Sequence, residues 1–292
     1  MSKNEKINAH RGSLVIPGGR VGVLLVHSLG GNPIELRFVA QGLARQGCTV
    51  YCPLIPGMGG GTDPSGLSSW QDWYMALEEA HDELKKHCDV VVVGGISAGS
   101  MLALRLARER ASEVQGLVLY APTLWPNGWS IPSTFILFKL VYHKWVASLM
   151  RLRQRPPYGI KDERIRNFVL DSFRSEGRSL DDLFSHGGGL VWEFKALARD
   201  VKRRLGEISQ QAILFHPRHD DQSDLSNAFK LQRKLGGTVE ATVLDDSYHM
   251  VTLDRQRSIV VDRTQDFVTR LTQNLEEKAA VARFLKGKGV AE

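Results

Sequence analysis

The 292-residue sequence predicts an α/β fold with a mostly parallel sheet flanked by helices. Short β-branched runs alternate with longer amphipathic stretches along most of the chain, which is the rhythm of strand–helix–strand units. The runs are Val21 to His27, Thr49 to Leu54, Val90 to Gly95, Val114 to Ala121, Gln211 to His216 and Val239 to Leu244. Most are continuously apolar rather than alternating, as strands covered on both faces must be.

The intervals carry helix signals. Asn32-Pro33-Ile34-Glu35 supplies an N-cap, a proline at N1 and a glutamate at N3, followed by Leu36, Val39, Ala40 and Leu43 at helical spacing and Gly47 as a stop. Ser68 with Gln71 opens a second helix, whose Trp73, Leu77, Ala80 and Leu84 share one face. From about Pro122 to Leu190 the rhythm breaks. This stretch holds Trp125 and Trp129, an amphipathic segment from Phe135 to Met150, the turn RPPYG and a glycine-rich SHGGG that reads as flexible. An insertion between two core strands falls naturally over the C-terminal strand ends, where open α/β sheets place their sites. The expected division is therefore a core from 1 to 121, a cap from 122 to 190, the second part of the core from 191 to 275, and a charged, fraying tail from 276 to 292.

Composition excludes several classes. Apolar residues make up 42% and charged residues 24%, so disordered and fibrous chains drop out. The longest apolar candidate, from Ile131 to Tyr142, is broken by Pro132 and Lys139, short of the roughly 18 residues that span a bilayer. The polar N-terminus lacks the apolar core of a secretory signal, and Cys48, Cys52 and Cys88 are an odd number without a C-x-x-C, so a reducing cytoplasm is expected. The net charge of +6 is regional: between Lys139 and Arg178 ten Lys/Arg face four Asp/Glu. Such a cluster is ordinarily a solvated face, with weak contact to an anionic lipid surface as the sharper alternative. No nucleic-acid-binding signature accompanies it. Pro56-Gly57-Met58-Gly59-Gly60-Gly61 forms neither a G-x-x-x-x-G-K-[ST] nor a G-x-G-x-x-G, so nucleotide binding is not expected.

Gly94 to Ser100, GGISAGS, is the most informative segment. It lies between the strand VVVV and the helical MLALRLARER, so Gly95-Ile96-Ser97-Ala98-Gly99 matches the strand–turn–helix context of a G-x-S-x-G nucleophile. A side chain at either flanking glycine would clash with the adjoining backbone of so tight a turn. Serine is a poor nucleophile at neutral pH and needs a base, itself oriented by a carboxylate. Asp220 follows the strand AILFH and His249 follows VEATVL, 29 residues apart, which leaves room for one helix and one strand and makes their loops neighbours. Asp221 and Asp224 share the acid's loop and stay open as alternatives, whereas Asp245 and Asp246 read as turn residues on the histidine's own loop. His216 with His219 lacks the further ligands of a metal site, so no metal is expected. His81, His87, His143 and His186 read as core or surface residues. Two amide donors for a developing oxyanion are expected at Ala98, after the nucleophile, and at Leu29 in the loop His27-Ser28-Leu29-Gly30-Gly31.

These motifs resemble the α/β-hydrolase superfamily, and within it the small bacterial carboxylesterases and monoacylglycerol lipases. The stretch from Leu24 to Gly59 is similar to that family's oxyanion loop, first helix and P-x-x-x-G-x-G loop, GGISAGS to its nucleophile elbow, and SYHMVTLD to its histidine loop. The resemblance implies an eight-stranded sheet with a lid inserted after the sixth strand, and a cofactor-free acyl-enzyme mechanism with Ser97 as nucleophile, His249 as base, Asp220 as its orienting acid, and Leu29 and Ala98 as oxyanion donors. The sequence departs from the pattern at Ser28, where the family usually has glycine, which either alters the oxyanion loop or adds a hydroxyl near the acyl carbonyl. It departs again at Ala98, often methionine, and throughout the cap. The expectation is a carboxylic ester hydrolase for an apolar acyl chain, with thioester, amide or carbon–carbon substrates, or binding without turnover, as alternatives on the same fold.

Overall fold

A computed structural model describes residues 7–59, 68–175 and 185–287. The first six residues, the Gly60–Gly61 end of the glycine-rich loop and the last five residues of the tail lie outside them. In chain order the core opens with strands β1 (Leu14–Ile16) and β2 (Val21–Val26), helix α1 (Arg37–Arg45), strand β3 (Thr49–Cys52), helix α2 (Trp70–His87), strand β4 (Val90–Ile96), helix α3 (Ala98–Glu109) and strand β5 (Gly116–Tyr120). The insertion contains helices α4 (Lys144–Ser148) and α5 (Glu163–Ser175) and strands β6 (Arg151–Arg153) and β7 (Ser185–Gly187). Helix α6 (Gly188–Arg203), strand β8 (Gln211–Pro217), helix α7 (Ser226–Lys234), strand β9 (Val239–Leu244) and the long helix α8 (Arg257–Gly287) follow.

The sheet runs β1-β3-β2-β4-β5-β8-β9, parallel throughout except for β1, which pairs antiparallel with β3. All six predicted runs are strands in this sheet. It has seven strands among the described residues, not eight, and the insertion follows the fifth. The polar segment before Leu14 offers no β-branched run from which a further edge strand could form.

Side chains alternate across the sheet, and each face has its own core. On one face Val23, Leu25, Val92, Val118 and Ile213 pack against Val39 and Leu43 of α1 and Val260, Phe267 and Leu271 of α8. On the other, Leu24, Val26, Val91, Val93, Leu117 and Leu119 pack against Leu77 and Leu84 of α2, Leu102 and Leu106 of α3, and Leu197 of α6. Two buried faces explain why the strands read as continuous apolar runs. The three cysteines are buried and unpaired.

Several local expectations shift. Asn32 caps as predicted, its Oδ1 accepting from the Ile34 amide at 2.9 Å, but the first turn is a 3-10 helix from Pro33 to Leu36. The cap of α2 is Ser69, one residue later than predicted, in a reciprocal box with Asp72. Ser68 instead donates to the Gly57 carbonyl at 3.3 Å. SHGGG is ordered: Ser185–Gly187 pairs antiparallel with Arg151–Arg153, and Gly188 begins α6. The tail continues α8 as a single helix of 31 residues through Gly287, because no glycine or proline interrupts it from Ser258 to Lys286.

The fit of α3 against β2 depends on Gly99. A β-carbon there would stand 2.3 Å from the Val26 carbonyl oxygen and 2.5 Å from that of His27. Backbone cannot give way as a flexible side chain does, so Gly99→Ala is expected to cost about 2–3 kcal/mol, read as a lowered midpoint in urea denaturation. An unchanged midpoint would mean that α3 shifts without loss.

Candidate active site

The C-terminal ends of β2, β4, β5, β8 and β9 deliver the predicted residues to one place. Ser97 sits between β4 and α3 at φ 56° and ψ −115°, a left-handed conformation that a non-glycine residue adopts only under constraint. Its amide donates to the Tyr120 carbonyl at 2.9 Å, holding the turn to β5. Gly95 must lack a side chain, since a β-carbon would stand 2.5 Å from the Gly99 carbonyl carbon. The Ser97 hydroxyl lies 3.2 Å from Thr123 Oγ1, which in turn donates to the Ala121 carbonyl, so Ser97 donates to Thr123. Thr123 carried no sequence signal; its place just beyond β5 becomes visible only once the strands are aligned.

His249 and Asp220 are brought together as expected. His249 Nδ1 lies 2.9 and 3.0 Å from the two carboxylate oxygens of Asp220, with 1% and 3% of the two residues exposed. Asp220 also accepts the amides of Gln222 and Ser223 at 2.8 and 2.9 Å, which fixes its plane. Burial works against both charges, but each partner favours the other's. The His249 imidazole is lifted above its ordinary value and the Asp220 carboxyl held below its own. Nε2 of His249 is buried without a hydrogen-bond partner, and His249 and Ser97 line the same cavity. The structure does not join Ser97 to His249 directly, because the hydroxyl is turned to Thr123.

The alternative acids sort themselves by contact. Asp221 is fully buried and accepts the amides of Gly159 at 2.8 Å and His249 at 3.3 Å, joining the insertion to the histidine loop. Burial and the neighbouring Asp220 charge push its carboxyl up to about 6. Asp224 accepts the amide of Ser226 at the start of α7. Asp245 pairs with Arg218, and Asp246 with Lys161 and Arg255.

Leu29 and Ala98 also line the cavity. Ala98 opens α3, so its amide has no acceptor within the helix. The loop carrying Leu29 is braced from two sides. The Ile55 amide donates to His27 Nε2 at 3.1 Å, which leaves the ring proton on Nδ1, 2.8 Å from the Ser28 carbonyl. Burial pulls this histidine down to about 4, keeping it neutral. Glu35, expected as a capping residue, also accepts both the amide and the hydroxyl of Ser28, at 2.9 and 3.0 Å. The Ser28 hydroxyl is thus committed to Glu35.

His186, expected on the surface or in the core, lines the cavity opposite Gly30, with its Nε2 3.0 Å from Gln154 Nε2. His216 is buried, with Nε2 2.8 Å from the Ser223 carbonyl. One set among the described residues, His81, Asp82 and Glu113, is close enough to share a metal ion. Arg110 already pairs with both of its carboxylates, and Glu113 precedes β5, at the end of the strands opposite Ser97.

This geometry agrees with the comparisons to known proteins. The chain belongs to the alpha/beta hydrolase family, whose profile matches residues 23–263. It is 26% identical over 257 residues to the thermostable monoacylglycerol lipase of Bacillus sp. (strain H-257), covering 86% of this chain and 92% of that protein. It is 21% identical over 257 residues to the carboxylesterase of Bacillus subtilis (strain 168), covering 87% and 94%. Among solved structures, one from the metagenome-derived lipolytic enzymes LipS and LipT superimposes with a TM-score of 0.71 at 23% identity, covering 90% of this chain and 99% of that one.

Glu35 generates a testable pH dependence. Burial is the main cause that moves its carboxyl from 4.5 up to about 7, so folding favours the protonated form. The stability it contributes is complete below pH 4.5 and is lost as pH rises through about 7. Glu35→Gln is expected to remove this component, so that between about pH 4 and pH 8 the variant loses on the order of 2 kcal/mol less than the wild type in urea denaturation. Parallel pH profiles would place the Glu35 titration elsewhere.

Proposed function

We propose that the protein hydrolyses carboxylic esters through an acyl-enzyme formed on Ser97. The observation that carries this reading is the buried Asp220–His249 pair, whose unpartnered Nε2 lines the same cavity as a serine held on a strained turn. Rotation about χ1 takes the Ser97 hydroxyl from Thr123 to His249 Nε2, which accepts its proton as Oγ attacks the ester carbonyl. Asp220 holds the imidazole in the required tautomer and offsets its charge. The Leu29 and Ala98 amides receive the oxyanion. The protonated histidine then gives its proton to the departing alcohol, and water, deprotonated by the same nitrogen, releases the acid and restores Ser97. No cofactor enters this sequence. Residues 122–190 form the lid, and the phenylalanines Phe135, Phe138 and Phe194 on the cavity wall suit an apolar acyl chain.

The cytoplasm is the proposed location, in keeping with three buried, unpaired thiols. The lid also presents Leu140, Tyr142, Trp145 and Leu149 with more than three-fifths of each side chain exposed, beside Arg151 and Arg153. We place weak contact with an anionic lipid surface there, expected as salt-sensitive sedimentation with anionic vesicles and absent with neutral ones.

Hydrolysis of p-nitrophenyl esters from acetate to palmitate tests the main reading. Turnover is expected with an optimum beyond the shortest chains, and Ser97→Ala is expected to lower kcat by about 10⁴-fold or more. Turnover that survives the substitution would remove Ser97 from the mechanism. A wild type inert on every ester would redirect attention to thioester, amide or carbon–carbon substrates, or to binding without turnover.

A further inference from the structure

The cavity beside Ser97 encloses about 1580 Å³, and its charge is one-sided. The insertion contributes Arg151, Arg153, Arg155, Arg164 and Arg166 to its wall, and the core adds Arg37 and Arg257 beside Phe38. Among the described lining residues Glu35 is the sole carboxylate, and it is committed to Ser28. No lysine lines it.

Several arginines elsewhere on the protein are neutralised by a carboxylate, as Arg166 is within the cavity wall by Glu163. Arg20 pairs with Asp89, Arg110 with Glu78, Arg204 with Glu207 and Arg270 with Glu240. Arg151, Arg155 and Arg164 have no ion pair among the described residues, although each is exposed and within the most basic stretch of the chain. Arg151 and Arg153 alternate with Leu152 along β6, and Leu152 packs into the apolar cluster under the lid, so the strand turns its guanidinium groups to the opposite face. Crowded like charges raise the free energy of a fold, and low-dielectric walls focus their field into the cleft. A guanidinium offers a planar fork that matches phosphate or carboxylate oxygens two at a time.

The geometry points to an anionic substrate: an acyl ester whose alcohol part carries a phosphate or carboxylate, with the acyl chain along the phenylalanine wall and the anion held by Arg151, Arg155 and Arg164 at the lid. This assignment rests on the ester-hydrolase reading for its chemistry, and it separates this chain from an enzyme adapted to neutral glycerol esters. The anion takes no part in bond making. It holds the ester where Ser97 can reach the carbonyl, so these arginines are specificity residues.

The test compares monooctanoylglycerol with monooctanoylglycerol 3-phosphate, which share the acyl ester and differ in the anion. An octanoyl glycerate arm separates carboxylate from phosphate recognition, and inorganic phosphate as a competitor shows whether the anion binds without the chain. At low salt kcat/KM is expected to favour at least one anionic ester by about tenfold, the preference shrinking toward parity at about 0.5 M salt. Combining Arg151→Gln with Arg155→Gln is expected to lower the anionic-to-neutral ratio several-fold, with Arg164→Gln as an independent single variant. Anionic esters no better than the neutral one, or a ratio unmoved by salt and by these substitutions, would overturn the assignment. If none of the esters is cleaved, the hydrolase reading fails first, and calorimetry with octyl glyceryl ether and its phosphate decides separately. Tighter binding of the phosphate upholds the anion site, and equal binding removes it.

Discussion

The turn at Ser97 is the constraint on which the rest of the site depends. A serine at φ 56° costs on the order of 1–3 kcal/mol, and it persists because its surroundings leave the chain no other path. The Ser97 amide is tied to the end of β5, Gly95 packs on Gly99, and Gly99 lies on the end of β2. The parallel register of β2, β4 and β5 therefore fixes where the hydroxyl emerges. It emerges where the neighbouring strands release their loops: Leu29 after β2, Thr123 after β5, Asp220 after β8 and His249 after β9. The strain is borne by a sheet buried on both faces.

Much of this was legible in the sequence, for identifiable reasons. Continuous apolar runs can be read because both faces of the sheet are covered. Ser97 stands out because the steric demand of its turn must be met by glycines at fixed offsets. Asp220 and His249 follow once each strand end is located. Edge and loop features were less legible. Three residues, Leu14–Ile16, carry too little pattern to declare β1. Ser68 and Ser69 present the same chemistry one residue apart, and tertiary contact with Gly57 decides between them. Glu35 fits a capping box by spacing, yet a partner seven residues back takes its carboxylate. The pairing that orders SHGGG lies more than thirty residues away. In the last three cases a contact beyond the local turn overrides a local signal.

Glu35 and His27 brace the loop after β2 from two sides. Ser28, which follows His27, adds a hydroxyl to the loop. The Glu35 carboxylate takes that hydroxyl together with the Ser28 amide, while neutral His27 holds the other side of the loop against Ile55. The loop that carries Leu29 is thereby fastened through hydrogen bonds on both sides. This comes at the cost of keeping an acidic group in surroundings that oppose its ionisation.

The insertion is bound to the histidine loop through a second pair of carboxylates. Asp221 accepts from Gly159 on one side and from His249 on the other, and the Met250 amide donates to the Gly159 carbonyl at 2.8 Å. Asp254 accepts the amides of Lys161, Asp162 and Tyr248. Residues 159 to 162 are thus part of the scaffold that holds His249, although in sequence they belong to the insertion. A rigid displacement of the whole insertion would break these bonds and leave each of the two buried acids with only its donor from the histidine loop. These bonds therefore tie residues 159 to 162 to the core. The described residues on either side of this segment carry Arg151, Arg155 and Arg164 on the cavity wall and most of the exposed apolar residues of the insertion.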